Sequence, residues 1–264
     1  MIQEERRIWL IRYLQREMPE YAHYRIPDDE AGQWHLLRAL FNVRPPAPVP
    51  REFKEIEGAL LERMTKEKGI VDAMELPPSA VDPRLALWRG DITRLRIDAI
   101  VNAANSQMLG CFQPNHNCID NIEQTMAGVE MRYDCYKLMQ AQGHEESTGK
   151  AKITSGHHLP ARFVLHTVGP IVQGRLTNEH RRLLVSCYES CLALAAKHGL
   201  KSVAFCCIST GVFHFPKEEA AKIAVHTVQK WLDERLHTSI KRVVFDVFEQ
   251  RDYLLYASLL GEQA

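Results

Sequence analysis

A chain of 264 residues is long enough for one large domain or two modest ones. Its 33 basic and 33 acidic side chains cancel, and the first 80 residues, with 12 and 14, are no more polarised than the rest. This argues against a nucleic-acid backbone binder, which would show a basic face, but it leaves room for a small anion held by backbone groups.

At the N-terminus, "MIQEERRIWLIRYLQREM" has no uninterrupted apolar core or small-residue cleavage site, so no secretory signal is expected. No apolar run approaches the ~20 residues that span a bilayer, so no membrane partner is expected. Seven cysteines cannot form a fully paired disulfide framework, which fits a reducing cytoplasm. Residues 1–80 read as a helical extension. "EERRIWLIRYLQREM", "DDEAGQWHLLRALFNV" and "PREFKEIEGALLERMTKEKG" carry apolar residues at three- and four-residue steps. Asp28 or Asp29 suits the cap of the second helix and Pro50 the first turn of the third. "RPPAPVP" is a connector, and "ELPPSAVDP" closes the section.

From residue 82 onwards the rhythm changes to α/β. "LALWRG", "DAIVNAA", "ARFVLHTVG", "SVAFCCIS" and "RVVFDVFE" read as strands. "IDNIEQTMAGVEMRYDCYKLMQ", "NEHRRLLVSCYESCLALAAKHG" and "PKEEAAKIAVHTVQKWLDERL" each read as one helix, with Gly199 suited to a C′ position and Pro216 to a first turn. Near-continuous apolar strands alternating with helices predict a sheet covered on both faces, with ligands bound beyond the strand ends.

Three polar loops follow strands: "GDIT" at 90–93, "VNAANSQMLG" at 101–110 and "ISTGVFHFP" at 208–216. The last offers backbone N–H groups just before a helix, a place for a phosphate or diphosphate. Asn102 and Asn105 can hydrogen-bond sugar hydroxyls or cap their own turn. With "STGKAKIT" and "FVLHTVGP", these phrases stand in the order and spacing of a macrodomain, and residues 82–264 resemble that family. The resemblance implies a three-layer α/β/α sandwich with a mixed, roughly six-stranded sheet and ADP-ribose across the strand ends. It implies that Asp91 accepts from the adenine amino group with Ile92 beside the base. It implies that Ser209, Thr210, Gly211 and Val212 wrap the diphosphate, that Phe213 lies against the distal ribose, and that Asn105 bonds its hydroxyls. Asn102 is expected to brace the loop. His214 departs from the glycine common there, and its bulk is expected to narrow the ribose end or shift Phe213.

Where hydrolytic macrodomains carry a glycine-rich segment, this chain reads "GCFQPNHNCID". That C-x4-H-x-C pattern resembles the zinc-dependent macrodomain branch, which also carries a helical N-terminal extension. His116 and Cys118, two apart in an extended segment, point the same way, and Pro114 lets the chain turn to bring Cys111 back. Thiolate and imidazole donors suit Zn2+, and three ligands suggest an open position for chemistry. A structural site would need a fourth ligand, from Cys135, His144, His157, His158 or a carboxylate. Cys187, Cys191, Cys206 and Cys207 are expected in the core, His166 in a hydrogen-bonded sheet position, and His157 and His158 on the surface.

The resemblance implies hydrolysis of mono-ADP-ribose from modified proteins, at an ester to an acidic side chain or an O-linked serine. Asn105 would orient the distal ribose, and Asp120 would position or deprotonate the nucleophile, or else cap its helix. It also makes a lipoyl-carrier protein resembling glycine cleavage protein H a plausible substrate. A non-catalytic ADP-ribose reader with a structural zinc, and a hydrolase of a free ADP-ribose derivative, are the alternatives.

Overall fold

In the computed structural model, which describes residues 1–262, three helices come first: α1 (Gln3–Glu17), α2 (Glu30–Val43) and α3 (Arg51–Lys68). Each buries one stripe, with Leu10, Ile11 and Leu14 from α1, Leu37 and Leu40 from α2, and Phe53, Leu60 and Leu61 from α3. Asp29 is the residue that caps α2, accepting from the Gly32 N–H at 2.8 Å. Pro50 and Pro216 each stand one place before the expected first turn, as the N-cap. The proline-rich connector is pinned by buried Arg44, which binds both carboxylate oxygens of Glu17 at 2.6 and 2.8 Å and the Ala47 carbonyl at 2.8 Å.

A two-residue strand β1 (Val71–Asp72) pairs with β3 (Leu95–Arg96) apart from the main sheet. The main sheet comprises β2 (Leu85–Arg89), β4 (Ala99–Ala104), β5 (Ala151–Ser155), β6 (Phe163–Val168), β7 (Ser202–Phe205) and β8 (Arg242–Val247), in the order β2-β8-β7-β4-β6-β5. All neighbours are parallel except β5, which runs antiparallel to β6. Four consecutive residues of β4, Ala99 to Asn102, have no exposed surface, so helices cover both faces. Because β2, β8, β7 and β4 are parallel neighbours, their carboxyl ends share one edge. The loops after β2, β4 and β7 meet there.

The segment read as one helix from Ile119 to Gln142 is two: α4 (Ile119–Ala127) and α5 (Val129–Gln142). Gly128 breaks it at φ 93°. The cause lies in α3, whose fully buried Glu57 accepts from the Val129 N–H at 3.0 Å. A Cβ at Gly128 would lie 2.7 Å from Glu57 Oε2 and 2.8 Å from His158 Cδ2. The expectation that His157 and His158 are exposed fails as well, because each turns to acidic partners. His157 binds Asp134 at 2.9 Å, and His158 lies half-buried between Glu57 and Glu62, 3.5 Å from each. The remaining helices are α6 (Asn178–Lys197), α7 (Lys217–Asp233) and α8 (Gln250–Leu259). Cys187, Cys191 and Cys206 are buried in the core as expected, and Cys207 is half-buried. One continuous apolar cluster joins the N-terminal helices to the sheet, from Leu10 and Phe53 through Leu85 and Val101 to Leu260.

Candidate active site and metal centre

At the end of β2, Asp91 begins a single 3-10 turn (Ile92–Arg94), its Oδ1 accepting from the Thr93 N–H at 3.1 Å and the Thr93 hydroxyl at 2.5 Å. Its second oxygen faces Lys68 of α3 at 3.3 Å, and Ile92 beside it is buried. Across the β2–β8 edge, the Gly90 N–H donates to the Val247 carbonyl at 3.0 Å. Phe248, the next residue, is 79% exposed.

The loop after β7 is a compact backbone turn. The Phe215 N–H donates to the Ser209 carbonyl at 2.9 Å, and the His214 N–H to the Gly211 carbonyl at 3.0 Å. Among the described residues, no acceptor takes the N–H of Gly211, Val212 or Phe213, which leaves these three for an anion. Thr210 spends its hydroxyl on the Cys207 carbonyl at 3.0 Å, while the buried Ser209 hydroxyl has no partner. Ser209 and His214 adopt φ of 65° and 56°. The left-handed value explains why glycine suits position 214; His214 takes it with an exposed side chain. Gly169 after β6 is required by close approach, since a Cβ there would meet Ser209 Oγ at 2.0 Å.

The end of β4 holds a buried polar chain. Asn102 Nδ2 donates to Asp120 Oδ1 at 2.8 Å and to His166 Nδ1 at 3.1 Å. Because the Asn102 amide can only donate to Nδ1, the neutral His166 ring carries its proton on Nε2, which meets Thr154 Oγ1 at 2.8 Å. Asn102 therefore holds Asp120, not the loop, which corrects the expected brace. Burial lowers His166 to about 4, so it stays neutral. Asp120 lies in the first turn of α4, 4% exposed. Burial pushes its carboxyl up to about 6, against the Asn102 hydrogen bond and the Arg132 charge. Asn105 caps its own turn: Oδ1 accepts from the Gln107 and Met108 N–H groups at 3.0 and 3.1 Å, and Nδ2 donates to the Gly110 carbonyl at 3.0 Å.

Two buried carboxyls near this chain have no counterpart in the sequence reading. Neither oxygen of Glu123 on α4 has a partner, and Asp246 Oδ1 on β8 has none. Burial pushes both well above the usual carboxylate range, aided by the Asp120 charge for Glu123 and the Asp91 charge for Asp246. Only their folded surroundings distinguish them from solvated acids.

Cys111, His116 and Cys118 do come together, their ligand atoms all within 4.8 Å of one another. Cys111 Sγ lies 3.4 Å from His116 Nδ1. Tetrahedral zinc, with Zn–S about 2.3 Å and Zn–N about 2.0–2.1 Å, requires ligand separations of about 3.6–3.8 Å, so small adjustments fit the ion. Among the described residues no fourth His, Cys, Asp or Glu joins the cluster. Cys135 points instead to His166 at 3.7 Å, His144 contacts the Glu145 carbonyl at 2.8 Å, and His157 and His158 serve acidic partners elsewhere. Cys118 is also the N-cap of α4, accepting from the Asn121 N–H at 3.4 Å. One residue thus begins the helix, contributes a thiol and sits two places before Asp120.

The family model described as Macro domain matches residues 101–224. A protein-ADP-ribose hydrolase of Treponema medium is 52% identical over 263 residues, spanning 99% of this chain and 100% of that relative. The crystal structure of a Trypanosoma brucei macrodomain in complex with ADP-ribose is 31% identical at a TM-score of 0.66, covering 85% of this chain and 95% of its own. A mutant Oceanobacillus iheyensis macrodomain with ADP-ribose is 36% identical at a TM-score of 0.61, covering 67% and 91%. By the match at residues 101–224, by its identity to solved macrodomains and by its sheet, this chain belongs to the macrodomain family.

Proposed function

We propose that this chain removes mono-ADP-ribose from modified proteins, using Zn2+ held by Cys111, His116 and Cys118. The observation that carries the reading is the convergence of three zinc-type donors two residues from buried Asp120, on the edge that carries the anion-ready turn. The full-length Treponema medium relative named protein-ADP-ribose hydrolase supports it.

In this reading, Asp91 and Ile92 take the adenine, with Phe248 covering its face. The free N–H groups of Gly211, Val212 and Phe213 take the diphosphate, without need of a lysine cluster. Phe213 and Asn105 hold the distal ribose, the Asn105 amide exchanging part of its turn for the sugar hydroxyls. Bound zinc would polarise the linkage, orient the ribose or lower the pKa of a bound water toward ~7. Hydrolysis joins the water oxygen to the ribose anomeric carbon and breaks that carbon's bond to the side-chain oxygen, which leaves with a proton. Asp120, aligned by Asn102, takes the proton from the water and passes it on. The linkage is an ester to an acidic side chain, and a lipoyl-carrier protein resembling glycine cleavage protein H is the candidate substrate. Seven free cysteines fit a cytoplasmic setting.

The Cys111→Ala, Cys118→Ala double variant tests this on mono-ADP-ribosylated protein. Loss of an ion worth several kcal/mol predicts a fall in turnover on the order of a thousandfold, with ADP-ribose affinity retained. Full turnover in a zinc-free double variant would sink the proposal. A second reading, a non-catalytic ADP-ribose reader, draws on Asn105, whose amide oxygen and one of its two side-chain N–H donors are spent on its own turn. It predicts tight binding and no turnover on any linkage.

A further inference from the structure

The metal loop rests on α2. Arg38 Nη2 donates to the His116 carbonyl at 2.7 Å and to Asn121 Oδ1 at 3.0 Å. Fully buried Asn121 carries the contact further, its Nδ2 donating to the carbonyls of Gln113 at 3.1 Å and Cys111 at 3.4 Å. One turn along α2, Asn42 is 1% exposed. Its Oδ1 accepts from the Asn115 N–H at 2.9 Å, while its Nδ2 donates to Thr125 Oγ1 at 3.0 Å. Asn115 has φ 56°, a left-handed bend that asparagine tolerates better than most residues.

We infer that Arg38 and Asn42 are positioning residues for the metal, holding the Cys111–Cys118 loop in its ligand-convergent shape. The inference rests on the zinc reading of that cluster. A loop without regular structure must lose conformational freedom to bring three side chains onto one ion. Groups that fix its backbone beforehand remove that cost from binding. The tied groups are spread along the loop: the Cys111, Gln113 and His116 carbonyls and the Asn115 amide. Arginine suits this work because one guanidinium serves two acceptors without changing charge state, where lysine offers a flexible point charge. The N-terminal helices therefore belong to the metal site and are not an appendage to it.

The test uses the full chain, stripped of metal and titrated with Co2+, and with Zn2+ in competition with a chromophoric chelator. Arg38→Met keeps the apolar stem and removes the donors, Arg38→Lys is the conservative variant, and Asn42→Ala removes the second tie. Glu57→Gln serves as the control, because it removes the α3 charge facing His158 without touching the loop. Melting of the metal-free forms shows which are folded. Affinity for both ions should fall roughly ten- to a hundredfold in Arg38→Met and Asn42→Ala and by less in Arg38→Lys, with the thiolate-to-cobalt absorption altered, while Glu57→Gln stays within about twofold of wild type. Should Arg38→Met fail to fold, Arg38→Lys and Asn42→Ala decide the matter. Wild-type affinity and spectrum in the folded Arg38 and Asn42 variants, or an equal loss in Glu57→Gln, would overturn the inference. A wild-type chain that binds neither ion overturns the zinc reading itself, so the two failures are distinguishable.

Discussion

The proposed nucleotide cradle and the proposed metal loop lie on one edge of the sheet and are built in opposite ways. The cradle is backbone, set by short loops after parallel strands and closed by bonds between near neighbours such as Phe215 to Ser209. The metal loop has no regular structure and is fixed by side chains on α2, with Arg38 reaching acceptors 78 and 83 residues away. The N-terminal helices touch the cradle as well, through the partly exposed Lys68–Asp91 pair and through Arg94 Nε, which donates to the carbonyl of Gly69 at the end of α3 at 2.7 Å. An anion site needs aimed N–H groups, which a strand end supplies locally. A three-ligand cluster needs its loop held from outside.

This contrast can be broken or sharpened by substitution. The largest effect is expected at Asp120, which lies between the two regions. Asp120→Asn should lower hydrolysis of ADP-ribosylated protein on the order of a hundredfold or more, while ADP-ribose affinity, measured by calorimetry, stays near wild type. Loss of affinity together with turnover would move Asp120 from chemistry to binding.

Next comes the buried chain behind it. His166 is held neutral to about pH 4, against an unfolded value of about 6.5. Above pH 6.5 neither state takes the proton. Below it the unfolded chain takes a proton that the fold refuses, so stability falls until about pH 4, by about 3 kcal/mol in all. Denaturant unfolding should show this extra acid sensitivity in wild type relative to His166→Gln. A constant difference between the two proteins from pH 7 to 4 would contradict it.

Gly169→Ala should act on the cradle alone. The new Cβ overlaps Ser209 Oγ at 2.0 Å and crowds Ile208 Cγ2 at 2.9 Å. Overpacking there should cost about 1–3 kcal/mol and weaken ADP-ribose binding, with Co2+ affinity unchanged. The smallest effect belongs to Lys68→Ala, whose partly exposed pair is worth under about 1 kcal/mol, so ADP-ribose affinity should change by less than about fivefold. A larger change would show that the helices support the cradle as firmly as they support the metal loop.

What could be read from the sequence divides along the same line. Strands such as Ala99–Val101 and Val243–Phe245 announce themselves because burial on both faces demands continuous apolar character. The edge strand Ala151–Ser155 does not, since only Thr154 in it is buried and its hairpin with β6 makes it antiparallel. The cap at Asp29 is legible because a cap is a local bond. The break at Gly128 is not, because helical periodicity runs through it and Glu57, which occupies the gap, lies 72 residues from its partner Val129. The convergence of Cys111, His116 and Cys118 is legible from donor type and spacing. Arg38 and Asn42 are not, since polar residues on an amphipathic helix read as a solvated face until the loop is seen against them.

The most direct measurement is anomalous diffraction at the zinc edge from crystals of the full chain with ADP-ribose bound. The account predicts a single ion among Cys111 Sγ, His116 Nδ1 and Cys118 Sγ, with the distal ribose at its open position and Asp120 beside the anomeric carbon. An absent anomalous peak there, or a distal ribose bound away from the ion, would contradict it.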